Sequence, residues 1–199
     1  MRAKIRFDRG SYSNVPHVEI TKLKQAIQKH WPSEPGGKAV TYVGKFFNRM
    51  RRETKIVAQV VGNHGTYTVS IQVLPGGIRS ACSCYIGKAG YCHHCAALAA
   101  TFLDEPNSFI EKVAKKLETV EGLTDLADYL QGVSLETLLN QLKEKGVSQK
   151  AFAAGIGMST QHLSAVKSSE IKNRFYHELG AIKLACLWVL EHPIAIKGK

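Results

Sequence analysis

The chain has 199 residues, of which 44% are apolar and 22% charged, the proportions of a folded globular protein rather than a disordered one. Lys and Arg number 27 against 16 Asp and Glu, and the resulting net charge of +11 favours a polyanionic partner, nucleic acid above all. No apolar run is long enough to span a membrane, and the charged start Met1-Arg2-Ala3-Lys4-Ile5-Arg6 lacks the apolar stretch of a signal peptide, which predicts a cytoplasmic protein with no membrane partner.

The positive charge is unevenly placed. Residues 1–55 hold 13 Lys and Arg against 4 Asp and Glu, whereas residues 56–104 and 105–199 each come to +1. Within the basic segment, Lys4-Ile5-Arg6-Phe7 alternates as a short strand would. Leu23, Ile27 and Trp31 recur at helical spacing over Thr21 to Trp31, and Pro32-Ser33-Glu34-Pro35-Gly36-Gly37 ends that helix. A second helix is expected over Thr41 to Arg52, with Val43, Phe46, Phe47 and Met50 on one face. Its other face carries Lys45, Arg49, Arg51 and Arg52, four candidate phosphate contacts.

Strands follow. Ile56 to Val61 is β-branched, Gly62-Asn63-His64-Gly65 supplies a turn, and Thr66 to Val73 alternates, the pattern of an antiparallel hairpin. After the turn at Pro75-Gly76-Gly77, Ile78 to Ala81 runs into a cluster of four cysteines within fourteen residues: Cys82, Cys84, Cys92 and Cys95, with His93 and His94 among them. In a reducing compartment such a cluster reads as a metal site rather than a disulfide framework. Cys82-Ser83-Cys84 offers two ligands on one extended segment, and the following loop, with Gly87 and Gly90, can return the chain to Cys92. With no Asp or Glu between Arg79 and Thr101 to act as a general base, a closed structural site is expected rather than a catalytic one.

The pattern Cys-x-Cys-x7-Cys-x-His, followed by Ala97-Leu98 and preceded by the strand pair, resembles a SWIM zinc finger over about residues 40–104. The resemblance implies Zn²⁺ held by Cys82, Cys84, Cys92 and His94, a helix after His94 packed on the hairpin, and a role in DNA or protein binding. This chain departs from the family in reading Cys92-His93-His94-Cys95, so Cys95 and His93 stand as alternative fourth ligands; the family's spacing favours His94.

From His93 onward helical signals dominate. An Ala-rich helix is expected from His93 to Leu103, then a break, then a helix over Phe109 to Val120 capped by Ser108. Further helices are expected near Thr124–Leu130, Ser134–Lys145, Ser148–Ala154, Ser159–Val166 and Arg174–His192. The fold class is therefore α+β: residues 1–105 form a basic segment and zinc module, and residues 106–199 an all-helical domain.

Within Gln149 to Val166, Ala153 stands fifth, Gly157 ninth, and Leu163 and Val166 fifteenth and eighteenth. A small residue lets two helices approach, glycine takes a left-handed turn, and the later apolar residues seat the second helix. Ser159 can cap that second helix. The segment, about residues 134–174, resembles the helix-turn-helix of phage repressors and Cro-type regulators. That likeness implies a recognition helix from Thr160 to Lys167, with Ser159, Thr160, Gln161 and Ser164 facing base edges and Gln149 near a phosphate. Lys150, Lys167, Lys172 and Arg174 would add electrostatic contacts. The last helix, with Leu179, Ile182, Leu187 and Trp188, is either a core helix or a homodimer face, and Cys186 within it reads as a buried apolar residue.

Two functions fit these features. The first is a zinc-containing DNA-binding protein, a prokaryotic or phage transcription regulator. The second is a binding protein that inhibits or adapts a nucleic-acid-processing complex. An enzyme is not expected, since no nucleophile–base spacing, phosphate-binding glycine loop or zinc-protease motif is present.

Overall fold

The computed structural model describes residues 17–89, 92–113, 115–174 and 177–192; the strand expected at Lys4–Phe7 lies outside them. The chain is mixed α+β, built from one five-stranded sheet and several helices. Among the described residues no helix is long and apolar enough to cross a membrane.

Helix α1 spans His17–His30 and buries Leu23 and Ile27, one turn apart, as their spacing predicts. Strands β1 (Phe47–Arg52), β2 (Lys55–Gly62), β3 (Gly65–Leu74) and β4 (Gly77–Cys82) form an antiparallel meander, and the short β5 (Ile110–Glu111) lies parallel to β1, giving the order β4-β3-β2-β1-β5. Gly62 pairs with Gly65 across the two-residue turn, and Gly65 sits at φ +116°, a conformation side-chain-bearing residues seldom adopt. The turn thereby sets a register in which Ile56 opposes Ile71 and Ala58 opposes Val69, all four buried on one face. Helix α2 (His93–Asp104) covers that face with Ala97, Leu98 and Phe102, while α1 packs against α2 and also meets β3 and β4.

Two expected helices are absent. Over Thr41 to Arg52, a 3-10 turn (Gly37–Tyr42) is followed by β1 instead. The spacing of Phe46, Phe47 and Met50 imitates one helical face, yet Phe46 enters the core while Phe47 stays 40% exposed. Asn48, at φ +49°, marks the register shift between Phe47 and Met50, and Glu53, at φ +31°, turns the chain into β2. Over Phe109 to Val120, β5 and a single 3-10 turn (Leu117–Thr119) replace the helix. Phe109 packs edge-on against Phe102 at 5.1 Å between ring centroids, which holds the chain beside β1. Ser108 caps nothing there; its hydroxyl accepts from Arg49 at 2.6 Å and donates to the Glu105 carbonyl at 2.7 Å.

The remaining helices are α3 (Leu123–Gly132), α4 (Leu135–Glu144), α5 (Gln149–Gly155), α6 (Thr160–Ile171) and α7 (Leu179–Glu191). Serine caps three of them: Ser134, Ser148 and Ser159 each accept from the amide three residues on. Leu135, Leu138, Leu139 and Leu142 of α4 meet Phe152, Leu163, Val166, Ile182 and Cys186 in a second core, separate from that beneath the sheet. Burial pushes the Cys186 thiol up to about 12, so it behaves as an apolar side chain. Lys183 is also buried here, where Glu170 receives its ammonium at 2.6 Å.

Candidate metal centre and basic faces

Cys82 ends β4. Beyond it the ladder gains two more bonds, from Ser83 N to the Thr68 carbonyl at 3.0 Å and from Thr68 N to the Ser83 hydroxyl at 2.9 Å. These bonds hold Cys84 in place, two residues beyond Cys82 on the extended chain. Cys92 has extended backbone immediately before α2, and His94 occupies its first turn, so the helix start delivers two more donors. The four groups converge. One donor atom from each of Cys82, Cys84, Cys92 and His94 lies within 4.8 Å of the others, and all four residues are buried.

The imidazole Nδ1 of His94 stands 3.7 Å from both the Cys82 and the Cys92 sulfur. Its Nε2 is buried without a hydrogen-bond partner, and the rings of Tyr42 and Tyr67 flank it at centroid distances of 4.6 and 5.2 Å. Backbone amides supply further polarity, Gly87 N donating to Cys84 Sγ at 3.2 Å and Cys84 N to Cys82 Sγ at 3.5 Å. A side chain at Gly87 would collide with the Cys82 carbonyl, so the loop can close only on glycine.

The crowding dictates the acid–base chemistry. Hydrogen bonding to Cys92, then burial, raises the Cys82 thiol far above its ordinary range, and burial raises Cys84 as well. Cys92 moves the other way, because it accepts from Cys82 and Cys95. The cluster therefore resists ionising every thiol together unless a cation offsets the charge.

Of the alternative ligands, neither belongs to the compact set of four. The Cys95 sulfur is 3.8 Å from Cys92 Sγ, and that contact, then burial, raises its thiol far above the ordinary range. His93 is half-buried and lies over Tyr42 at 5.4 Å between centroids. The amide of Gly87 was not apparent as a sulfur donor from sequence; the glycine itself was the one visible signal.

The residues expected to meet nucleic acid divide into two places. In the basic stretch around β1, Lys45 is exposed and Arg52 half-buried, but Arg49 and Arg51 are engaged within the protein. Arg49 binds Glu105 at 2.5 Å and the Gly44 and Phe46 carbonyls. Arg51, with 6% of its side chain exposed, binds Glu111 at 3.1 Å. In the helical half, Gly157 takes φ +70° between α5 and α6. Leu163 and Val166 turn inward, leaving Ser159, Thr160, Gln161 and Ser164 exposed along one side of α6. Lys150 is exposed, while Gln149, Lys167, Lys172 and Arg174 are half-buried. On α7, Leu184 and Trp188 remain open to solvent, at 42% and 56%.

No family model matches the chain, and neither a curated protein nor a solved structure shows significant similarity to it.

Proposed function

We propose that this protein binds DNA through α5 and α6, and that Zn²⁺ in the Cys82, Cys84, Cys92 and His94 cluster fixes the sheet and α2 as a SWIM-like module. The convergence of these four buried donors is the observation that carries the metal reading. Three thiols and one imidazole are the donors Zn²⁺ takes in closed structural sites, with Zn–S near about 2.3 Å and Zn–N near about 2.0 Å. A tetrahedral ion with such bonds spans sulfur–nitrogen separations of the kind seen at His94. Zinc would offset the charge of the three thiolates and tie the β4 end to the α2 start.

The DNA reading rests on the exposed side of α6. Thr160, Gln161 and Ser164 are short or amide-bearing side chains suited to base edges, while Leu163 and Val166 anchor the helix. Gly157 provides the left-handed turn of a repressor-like helix-turn-helix. Lys150, Lys167 and Lys45 supply phosphate contacts; Arg49 and Arg51 drop from that set because Glu105 and Glu111 occupy them. Exposed Leu184 and Trp188 support pairing of two copies through α7, which would present two reading helices to two half-sites.

A combined experiment tests this function. Native mass spectrometry should find one zinc per chain, lost in Cys84→Ser and kept in Cys95→Ser. A mobility shift on random duplex DNA at two salt concentrations should show retention that weakens with salt. Metal-free protein, or zinc protein that retains no DNA at low salt, would refute the corresponding half.

A further inference from the structure

Between the second face of the sheet and the helical half lies a cleft of about 550 Å³. Its floor is Lys55, Gln72 and Arg79, from β2, β3 and β4. Its opposite wall is the α3–α4 junction, with Tyr129 and Asn140, and the end of α6 at Glu170 and Ile171. The volume is that of a small-molecule site, and a junction between two packed units is where such sites commonly form.

The charges in this cleft are not balanced. Both oxygens of Glu170 are committed, one to Lys183 at 2.6 Å and the other to the Leu135 amide at 2.8 Å. Glu136 meets Arg79 at 3.4 Å in a half-exposed pair that can exchange readily. Lys115 binds Asp125 at the rim. Arg52 lies against the wall so closely that a side chain at Gly132 would collide with its guanidinium. That leaves Lys55, half-buried on the floor of the cleft, with no ion pair among the described residues. Burial lowers its basicity most; Glu170 opposes this, and Arg52, Lys183 and Arg79 add to it. A group in this state gains from an anion placed beside it.

We propose that the cleft binds a small organic anion, its phosphate or carboxylate held by Lys55 and Arg79 and its polar body lying against Tyr129, Gln72 and Asn140. An anion so held joins β2 and β4 to the α3–α4 wall of the cleft. The binding does not rest on the DNA reading, and its test contains no DNA.

The test is calorimetric titration of the full-length, zinc-replete protein with AMP, inorganic phosphate and succinate, at matched ionic strength. None of the three is a strong zinc chelator. Saturable binding of AMP and phosphate but not succinate assigns a phosphate ligand, and the reverse assigns a carboxylate. Lys55→Gln and Arg79→Gln should each weaken binding about tenfold or more, as loss of a charge-assisted hydrogen bond does. Lys55→Arg should keep most of the affinity, which separates lost charge from lost folding. Absence of saturable binding by all three probes, or equal binding by wild type and a folded Lys55→Gln variant, overturns the proposal.

Discussion

The side-chain amide of Asn173 donates to the Ser70 hydroxyl at 3.0 Å, and so ties the end of α6 to the middle of β3. The same nitrogen donates to the Ala81 carbonyl at 3.1 Å. Asn173 itself sits at φ +55°, a left-handed conformation that asparagine tolerates better than most residues. One residue thus links the helical half to two neighbouring strands of the sheet.

Asn173→Ala should remove these bonds and retain the unfavourable φ, costing about 1–3 kcal/mol. Urea denaturation followed by tryptophan fluorescence measures this, and Asn173→Gly should lose less because it relieves the backbone. Equal midpoints for Asn173→Ala and wild type would mean that the two halves are held by other contacts.

The paired glycines near the α5–α6 turn make a sharper comparison. Gly157 has open space around its Cα but φ +70°, so Gly157→Ala should cost about 1–2 kcal/mol through backbone strain alone. Gly155, the last residue of α5, has equally open surroundings and no positive φ. Gly155→Ala should be neutral or stabilise by about 0.4–1 kcal/mol. Thermal melts should therefore show a lowered midpoint for Gly157→Ala and an unchanged or raised one for Gly155→Ala.

Glu170 is the counter-charge of a lysine whose side chain is only 4% exposed. Glu170→Ala should strand the Lys183 ammonium in the core and leave the Leu135 amide without its acceptor. A loss of about 3–5 kcal/mol in unfolding free energy is expected. Lys183→Met replaces the cation with an apolar chain of similar length and should cost less. A reversed order of the two variants would contradict this account of the pair.

The basic stretch around β1 gives the fourth prediction. Lys45→Ala should leave stability unchanged and reduce the slope of log affinity for DNA against log salt by about one. Arg51→Ala should instead destabilise the fold, since Glu111 loses its partner at the β1–β5 edge. A change in salt slope for Arg51→Ala with no loss of stability would show that this arginine reaches DNA after all.

Local signals made much of this legible in sequence. Alternation over Thr66 to Val73 and the Gly62–Gly65 turn gave the hairpin, and in the structure the turn and the buried face agree on its register. The spacing of Cys82, Cys84, Cys92 and His94 pointed to the four residues whose donors converge. Ser159 caps α6 as its position suggested. What failed was non-local. Phe46, Phe47 and Met50 fit a helical face, and only pairing with β2, with an irregularity around Asn48, makes them a strand. β5 exists because Ile110 lies beside Met50, sixty residues away, a pairing no local pattern encodes. For the same reason the commitments of Arg49 to Glu105 and Arg51 to Glu111 were invisible, as was the cleft around Lys55.

Selection of bound sequences from a random duplex pool, run in parallel with wild type and Gln161→Ala, tests the central claim most directly. Gln161 is exposed in the first turn of α6, and a bidentate contact from its amide to adenine would discriminate by about 1–3 kcal/mol. The account predicts a defined site for wild type, and for Gln161→Ala the same site with preference relaxed at one base pair and non-specific affinity nearly intact. Enrichment of a defined site with identical base preferences in both proteins would contradict it, because another surface would then be reading the DNA.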